Sequence, residues 1–182
     1  LVGDLVFSYF DLESEKTSIW SALSCAAALV GVNDEWNKKI DESNRVSRFV
    51  LVSFGKAIVG NIGGISSSRE ITAMGPAVNI LSRIDPLTKD PVLQARIGSA
   101  SIILTREAAD TARSHLGQIE LREISLAELG LGLRDFPEER SIWIMPLDLE
   151  NEKHLAEDRP MQIRWERQYE SIEPALRDFE QQ

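Results

Sequence analysis

The chain has 182 residues, 43% of them apolar and 27% charged, which is one domain's worth of globular composition with enough apolar residues for a core; a second full domain does not fit. Twenty Lys and Arg against 29 Asp and Glu leave a net charge of -9, which argues against a large basic face for nucleic acid or an anionic membrane and means that an anionic substrate needs local positive charge or metal ions. Cys25 is the only cysteine, and His115 and His154 are the only histidines, so no intrachain disulfide or thiolate cluster can form, a histidine-based metal site is not expected, and a reducing, cytoplasmic setting is.

Residues 1–10 (LVGDLVFSYF) lack the basic, apolar and small-residue regions of a secretion signal. They read as the middle of a β-hairpin, with Gly3-Asp4 supplying the tight turn before a strand over residues 5–10. With Leu1 as the first residue, the chain is expected to lie inside a larger protein. Residues 13–36 place Ile19, Ala22, Leu23, Ala26 and Val30 at helical spacing, with Ser14 and Thr17 as candidate caps, and predict a helix packed on one face of a sheet. The longest weakly polar run, residues 21–32, is interrupted by serine and is shorter than the ~20 residues a spanning helix requires, so no direct membrane insertion is expected.

Residues 48–54 (RFVLVSF) form a nearly continuous apolar run, the pattern of a strand buried on both faces, and residues 55–64 follow as a turn and second strand of a central hairpin. Another short strand is expected at 71–74, before Gly75-Pro76 opens a helix with proline at its first position. A strand from 102, a helix over 106–115 and closing strands at 119–124 and 141–145 complete an α+β pattern without the regular alternation of a doubly wound sheet. Residues 1–146 are thus one domain. Residues 147–182 are a densely charged tail in which Met161, Trp165, Tyr169, Ile172, Leu176 and Phe179 make one helical face apolar, with a break at Pro174. Docking on its own domain is the default expectation for that tail; pairing with a second copy or continuing into further chain are the alternatives.

The most informative segment is 75–85 (GPAVNILSRID). At about 100° per residue, Ala77, Ile80, Leu81 and Ile84 share one helix face, and Asn79 and Arg83 lie together on the opposite one. Alone, that pair reads first as an ordinary solvated helix face. In order along the chain, however, Gly3-Asp4 in a hairpin, GKAIVGNIG at 55–63 and GPAVNILSR at 75–83 resemble the successive motifs of the class III nucleotidyl cyclase catalytic domain, over about residues 1–146.

The resemblance implies a ferredoxin-like fold with a mixed or antiparallel sheet and packed helices, here with a C-terminal helical extension. It implies conversion of ATP to 3′,5′-cyclic AMP and pyrophosphate at sites formed between two catalytic domains of a homodimer. Asp4 matches one of two aspartates that hold two divalent metal ions, Mg²⁺ or Mn²⁺; an ordinary turn aspartate is the alternative. Asn79 matches the asparagine that orients the ribose, and Arg83 the arginine that steadies the α-phosphate in the transition state, a task suited to a planar, permanently charged guanidinium. Thr72 falls where the purine is read, with a hydroxyl favouring ATP over GTP, although a strand-edge hydrogen bond would equally explain it. Arg122, in IELRE at 119–123, aligns with a strand lysine that binds terminal phosphates, but Glu123 replaces the glycine that follows there, and an exposed strand arginine is the alternative. Gly60, Asn61 and Gly63 read as scaffold residues of a tight backbone path.

Three positions depart from the pattern. The first metal aspartate and the base-reading lysine fall ahead of Leu1, and Ser101 stands where some members have a further phosphate-binding arginine. The competing function is therefore a catalytically degenerate module for dimerisation or nucleotide sensing; a guanylate cyclase is a third reading. Family members are commonly fused to sensors or membrane segments, so a cytoplasmic domain tethered to either is compatible with the resemblance.

Overall fold

The computed structural model describes residues 6–11, 14–61, 71–98, 100–117, 119–147 and 149–157. The Gly3-Asp4 turn, Gly63 and the apolar stripe from Met161 to Phe179 lie outside them. Residues 6–10 are not the expected strand: no described strand pairs with their N–H and C=O groups, and Val6 and Tyr9 are 74% and 52% exposed.

Helix α1 (Glu15–Asn37) begins where the sequence predicts, because the Ser14 hydroxyl accepts from the Thr17 amide at 3.2 Å. Of its predicted face, Ile19, Leu23, Ala26 and Val30 are buried and Ala22 is half-buried. Strand β1 (Arg48–Val52) follows, then β2 (Ile58–Asn61), β3 (Ile71–Met74), α2 (Pro76–Ile84), α3 (Pro91–Ile97), β4 (Ala100–Leu104), α4 (Arg106–Leu116), β5 (Arg122–Ser125), β6 (Ser141–Met145) and α5 (Leu149–Glu157). Helix α3 is an element the sequence reading left out, although Asp90 caps it by accepting from the Val92 amide at 2.8 Å and Pro91 holds its first position.

Four strands form one sheet in the order β1-β4-β6-β5, with β1 parallel to β4 and the other two pairings antiparallel. The expected central hairpin of β1 with β2 does not form. Instead β2 pairs antiparallel with β3 in a separate two-stranded ribbon. The chain leaves the sheet at Gly55, whose φ of +146° is open to glycine, and Ile58 on β2 is 73% exposed. Nor is β1 buried on both faces as its apolar run predicts: it lies at the edge of the sheet, with Val52 buried and residues 48–51 only half-buried.

Alternation along the strands sends side chains to two cores. Val52, Ile102, Leu104, Trp143 and Met145 cluster with α1, α4 and α5, whereas Ile103, Ile124, Ile142 and Ile144 cluster with α2 and α3. Helix α5 is the start of the charged tail, and it docks on α1: the Trp20 indole donates to the Leu155 carbonyl at 2.9 Å. The buried Asn151 accepts from the Glu120 amide and donates to the Pro146 carbonyl, both at 2.9 Å. The fold is α+β with a mixed sheet and packed helices, compatible with the ferredoxin-like arrangement that the sequence implies. No helix among the described residues is long and apolar enough to cross a membrane.

Candidate functional site

The site is built around α2. Strand β3 delivers the chain to Gly75, whose φ is +143° and where a Cβ would lie 2.8 Å from the Lys56 carbonyl oxygen, so this joint admits no side chain. Pro76 opens the helix, the amides of Val78 and Asn79 donate to the Gly75 carbonyl at 3.0 and 2.9 Å, and the Ser53 hydroxyl donates to the Ala77 carbonyl. The helix is thereby tied to both the ribbon and the end of β1. Ile80 and Ile84 are buried and Leu81 half-buried, which turns Asn79 outward to solvent.

Arg83 follows one turn later on the same side, in the last turn of α2, where the helix dipole favours a cation. Its side chain is 40% exposed, and its Nη2 donates to Asp135 Oδ2 at 2.9 Å. The Nε is buried without a hydrogen-bond partner. Asp135 has a second cation beside it, with Arg134 Nε 3.8 Å from the same oxygen. Asp135 belongs to the long connection between β5 and β6, and it lies 52 residues from Arg83; sequence reasoning missed it, since no local pattern links the two.

That connection is held firmly. The Leu126 amide donates to the Arg140 carbonyl and the Leu131 amide to the Leu126 carbonyl, both at 2.8 Å. Leu126 and Leu133 are buried in the same cluster as Ile80 and Ile84. At its far end Glu139 is buried, with its Oε2 3.6 Å from Arg106 Nε at the start of α4. Burial, reinforced by the negative charge of Glu107, holds the Glu139 carboxyl above the usual carboxylate range against the opposing pull of Arg106.

The other expected site residues are spread around α2. Thr72 sits opposite Gly60 in the β2-β3 ladder, three positions before Gly75. Gly60 itself has no described atom within 4 Å of where a Cβ would stand, so a tight backbone path does not explain it. Arg122, exposed at the start of β5, donates from Nη2 to the Arg96 carbonyl at 2.7 Å, in the last turn of α3. Its register opposite Ile144 puts it on the sheet face that α2 and α3 cover. Arg122 and Ser101 line an open cleft of about 660 Å³ together with Asp34 and Glu120. Ser101 is buried, and its hydroxyl donates to the Ile97 carbonyl, so it adds no cation in place of the arginine absent there. The structure therefore brings Asn79 and Arg83 together and leaves Arg122 engaged with α3.

The two metal ions implied by the resemblance need several converging carboxylates. Asp4 is outside the described residues, and among those described no three His, Cys, Asp or Glu side chains converge. The described residues do not by themselves make a metal centre.

No family model and no solved structure matches the chain. A curated adenylate cyclase from Anabaena cylindrica is 30% identical over 90 residues, which make up 48% of this chain and 18% of that protein. The chain thus spans under a fifth of the length of that relative. The match supports a distant relationship to the adenylate cyclases.

Proposed function

We propose that this chain is part of an adenylate cyclase that converts ATP to 3′,5′-cyclic AMP and pyrophosphate at a site shared between two copies of the domain. The observation that carries the reading is the outward pairing of Asn79 and Arg83 on α2, with the opposite face of that helix buried; the distant likeness to a cyclase over half of the chain supports it. Asn79 offers one donor and one acceptor to a ribose. Arg83 offers a guanidinium to an α-phosphate whose charge grows during the reaction. Thr72, on the strand that feeds α2, is the proposed contact to the purine, and Arg122 the proposed contact to the terminal phosphates. Asp4 is the proposed metal ligand and would need further carboxylates beside it; divalent ions held there would neutralise a triphosphate and acidify the ribose 3′-hydroxyl.

A site shared between copies has a direct test. Full-length protein bearing Asp4→Ala and full-length protein bearing Arg83→Ala are each inactive or nearly so, and a mixture recovers part of the activity, because one of the two sites in a mixed dimer keeps every group. Subunits that exchange without recovering cyclic AMP synthesis would rule the shared site out.

A further inference from the structure

The arginine that the proposed reaction needs free is not free. Its Nη2 is turned onto Asp135 at 2.9 Å, and its Nε is buried with no partner, an arrangement that leaves a costly unsatisfied donor. Asp135 is strained too: its φ is +68°, and it is the one non-glycine residue among those described with a positive φ. An aspartate tolerates that region better than most residues, but not without penalty. Asp135 stands between two anchored neighbours: Leu133 is buried in the cluster that holds Ile80 and Ile84 of α2, and Phe136 packs on the same cluster. The backbone that presents the carboxylate to Arg83 is thus flanked by two packed side chains. A second cation is at hand for the carboxylate, since Arg134 Nε lies 3.8 Å from the same oxygen.

We propose that Asp135 is a latch on Arg83: it holds the guanidinium off the nucleotide, and the charge that builds on the phosphates during reaction draws the arginine from this carboxylate. The inference rests on the reading of Arg83 as a phosphate-stabilising residue. Asp135 touches no substrate and acts through Arg83, which makes it a positioning residue that works by restraint. A single exposed carboxylate is a weak competitor for a guanidinium compared with a triphosphate, so the latch tunes the rate and does not abolish it.

The test uses full-length protein carrying Asp135→Asn, which keeps the shape and the tolerance of positive φ and removes the charge. Asp135→Gly, which also relieves the backbone, guards against a folding defect in the first variant. Both should raise kcat by about two- to five-fold, the scale of one exposed ion pair, with KM nearly unchanged. Neither should raise kcat when combined with Arg83→Ala, because the latch then has nothing to hold. A structural role for Asp135 would lower activity or leave it unchanged, and either result overturns the latch; a fall approaching that of Arg83→Ala would make Asp135 an orienting group instead. If wild-type protein makes no cyclic AMP at all, the functional reading itself has failed and this inference falls with it, whereas an active wild type with unresponsive Asp135 variants removes the latch alone.

Discussion

On one face of the four-stranded sheet, α1, α4 and α5 cover a cluster running from Ile19 to Leu155, and α1 alone contributes 23 residues of regular helix. On the other face, Ile80, Ile84, Leu93 and Ile97 lie under two helices of nine and seven residues and under the irregular connection that carries Leu126 and Leu133. Both faces bury comparable side chains, but the second is covered by short elements with many ends. Every helix end leaves backbone groups without an intrahelical partner. Such a covering is suited to presenting Asn79, Arg83 and Asp135, and the long helices opposite are suited to holding the sheet still.

The most severe test of this division of labour is a cavity on the α1 side. Leu104, fully buried there, should cost about 2–5 kcal/mol when truncated to alanine, read from urea unfolding. The activity of each remaining folded molecule should be unchanged; a parallel drop in kcat would show that the two faces are not independent. The converse comes next in size. Arg83→Ala should lower kcat by about 10²–10³, the usual loss of one transition-state donor, with a smaller change in KM and an unfolding midpoint close to wild type. Gly75→Ala sharpens the comparison at the joint: the side chain strikes the Lys56 carbonyl at a backbone angle of +143°, and the expected cost is about 1–3 kcal/mol, measured in the same unfolding assay.

The smallest effect concerns Glu139. Its carboxyl is held above the usual range mainly by burial, so the folded state binds that proton more tightly than the unfolded chain does. The stability this provides is complete below the ordinary carboxylate pKa and is lost as pH rises through the raised value. Glu139→Gln should therefore be more stable than wild type near neutral pH, by less than about 1 kcal/mol, and the difference should close on acidification. Melting curves at several pH values decide it; a gap that widens toward acid would mean that Arg106 outweighs burial.

What was legible in the sequence was what local chemistry dictates. Ser14 and Pro76 mark helix starts through capping and a fixed φ, and the spacing of Ile19, Leu23, Ala26 and Val30 marks a buried face. Asn79 and Arg83 share a side of α2 by helical arithmetic alone. Pairing was less legible, because an apolar run such as residues 48–52 carries no record of its neighbour: adjacency in sequence suggests β2, while the structure pairs it with β4. Residues 5–10 have a strand-like composition, yet a strand requires a partner, and residues 6–10 have none among those described. Asp135 was invisible for the same reason. Its importance comes from a contact with Arg83 across the fold, and no local pattern announces its positive φ.

The parallel pairing of residues 48–52 with residues 100–104 also sets how the chain reaches its native state. The ribbon of β2 with β3 and the helix after it form from neighbours in sequence. The β1-β4 ladder, at one edge of the sheet, must instead close a loop of about fifty residues, losing that entropy before any hydrogen bond of the ladder forms. Pairing of β1 with β4 is then expected to be a slow step of folding. Until it happens the apolar strand RFVLV is an uncovered template for other chains, so the yield of refolding should fall as protein concentration rises.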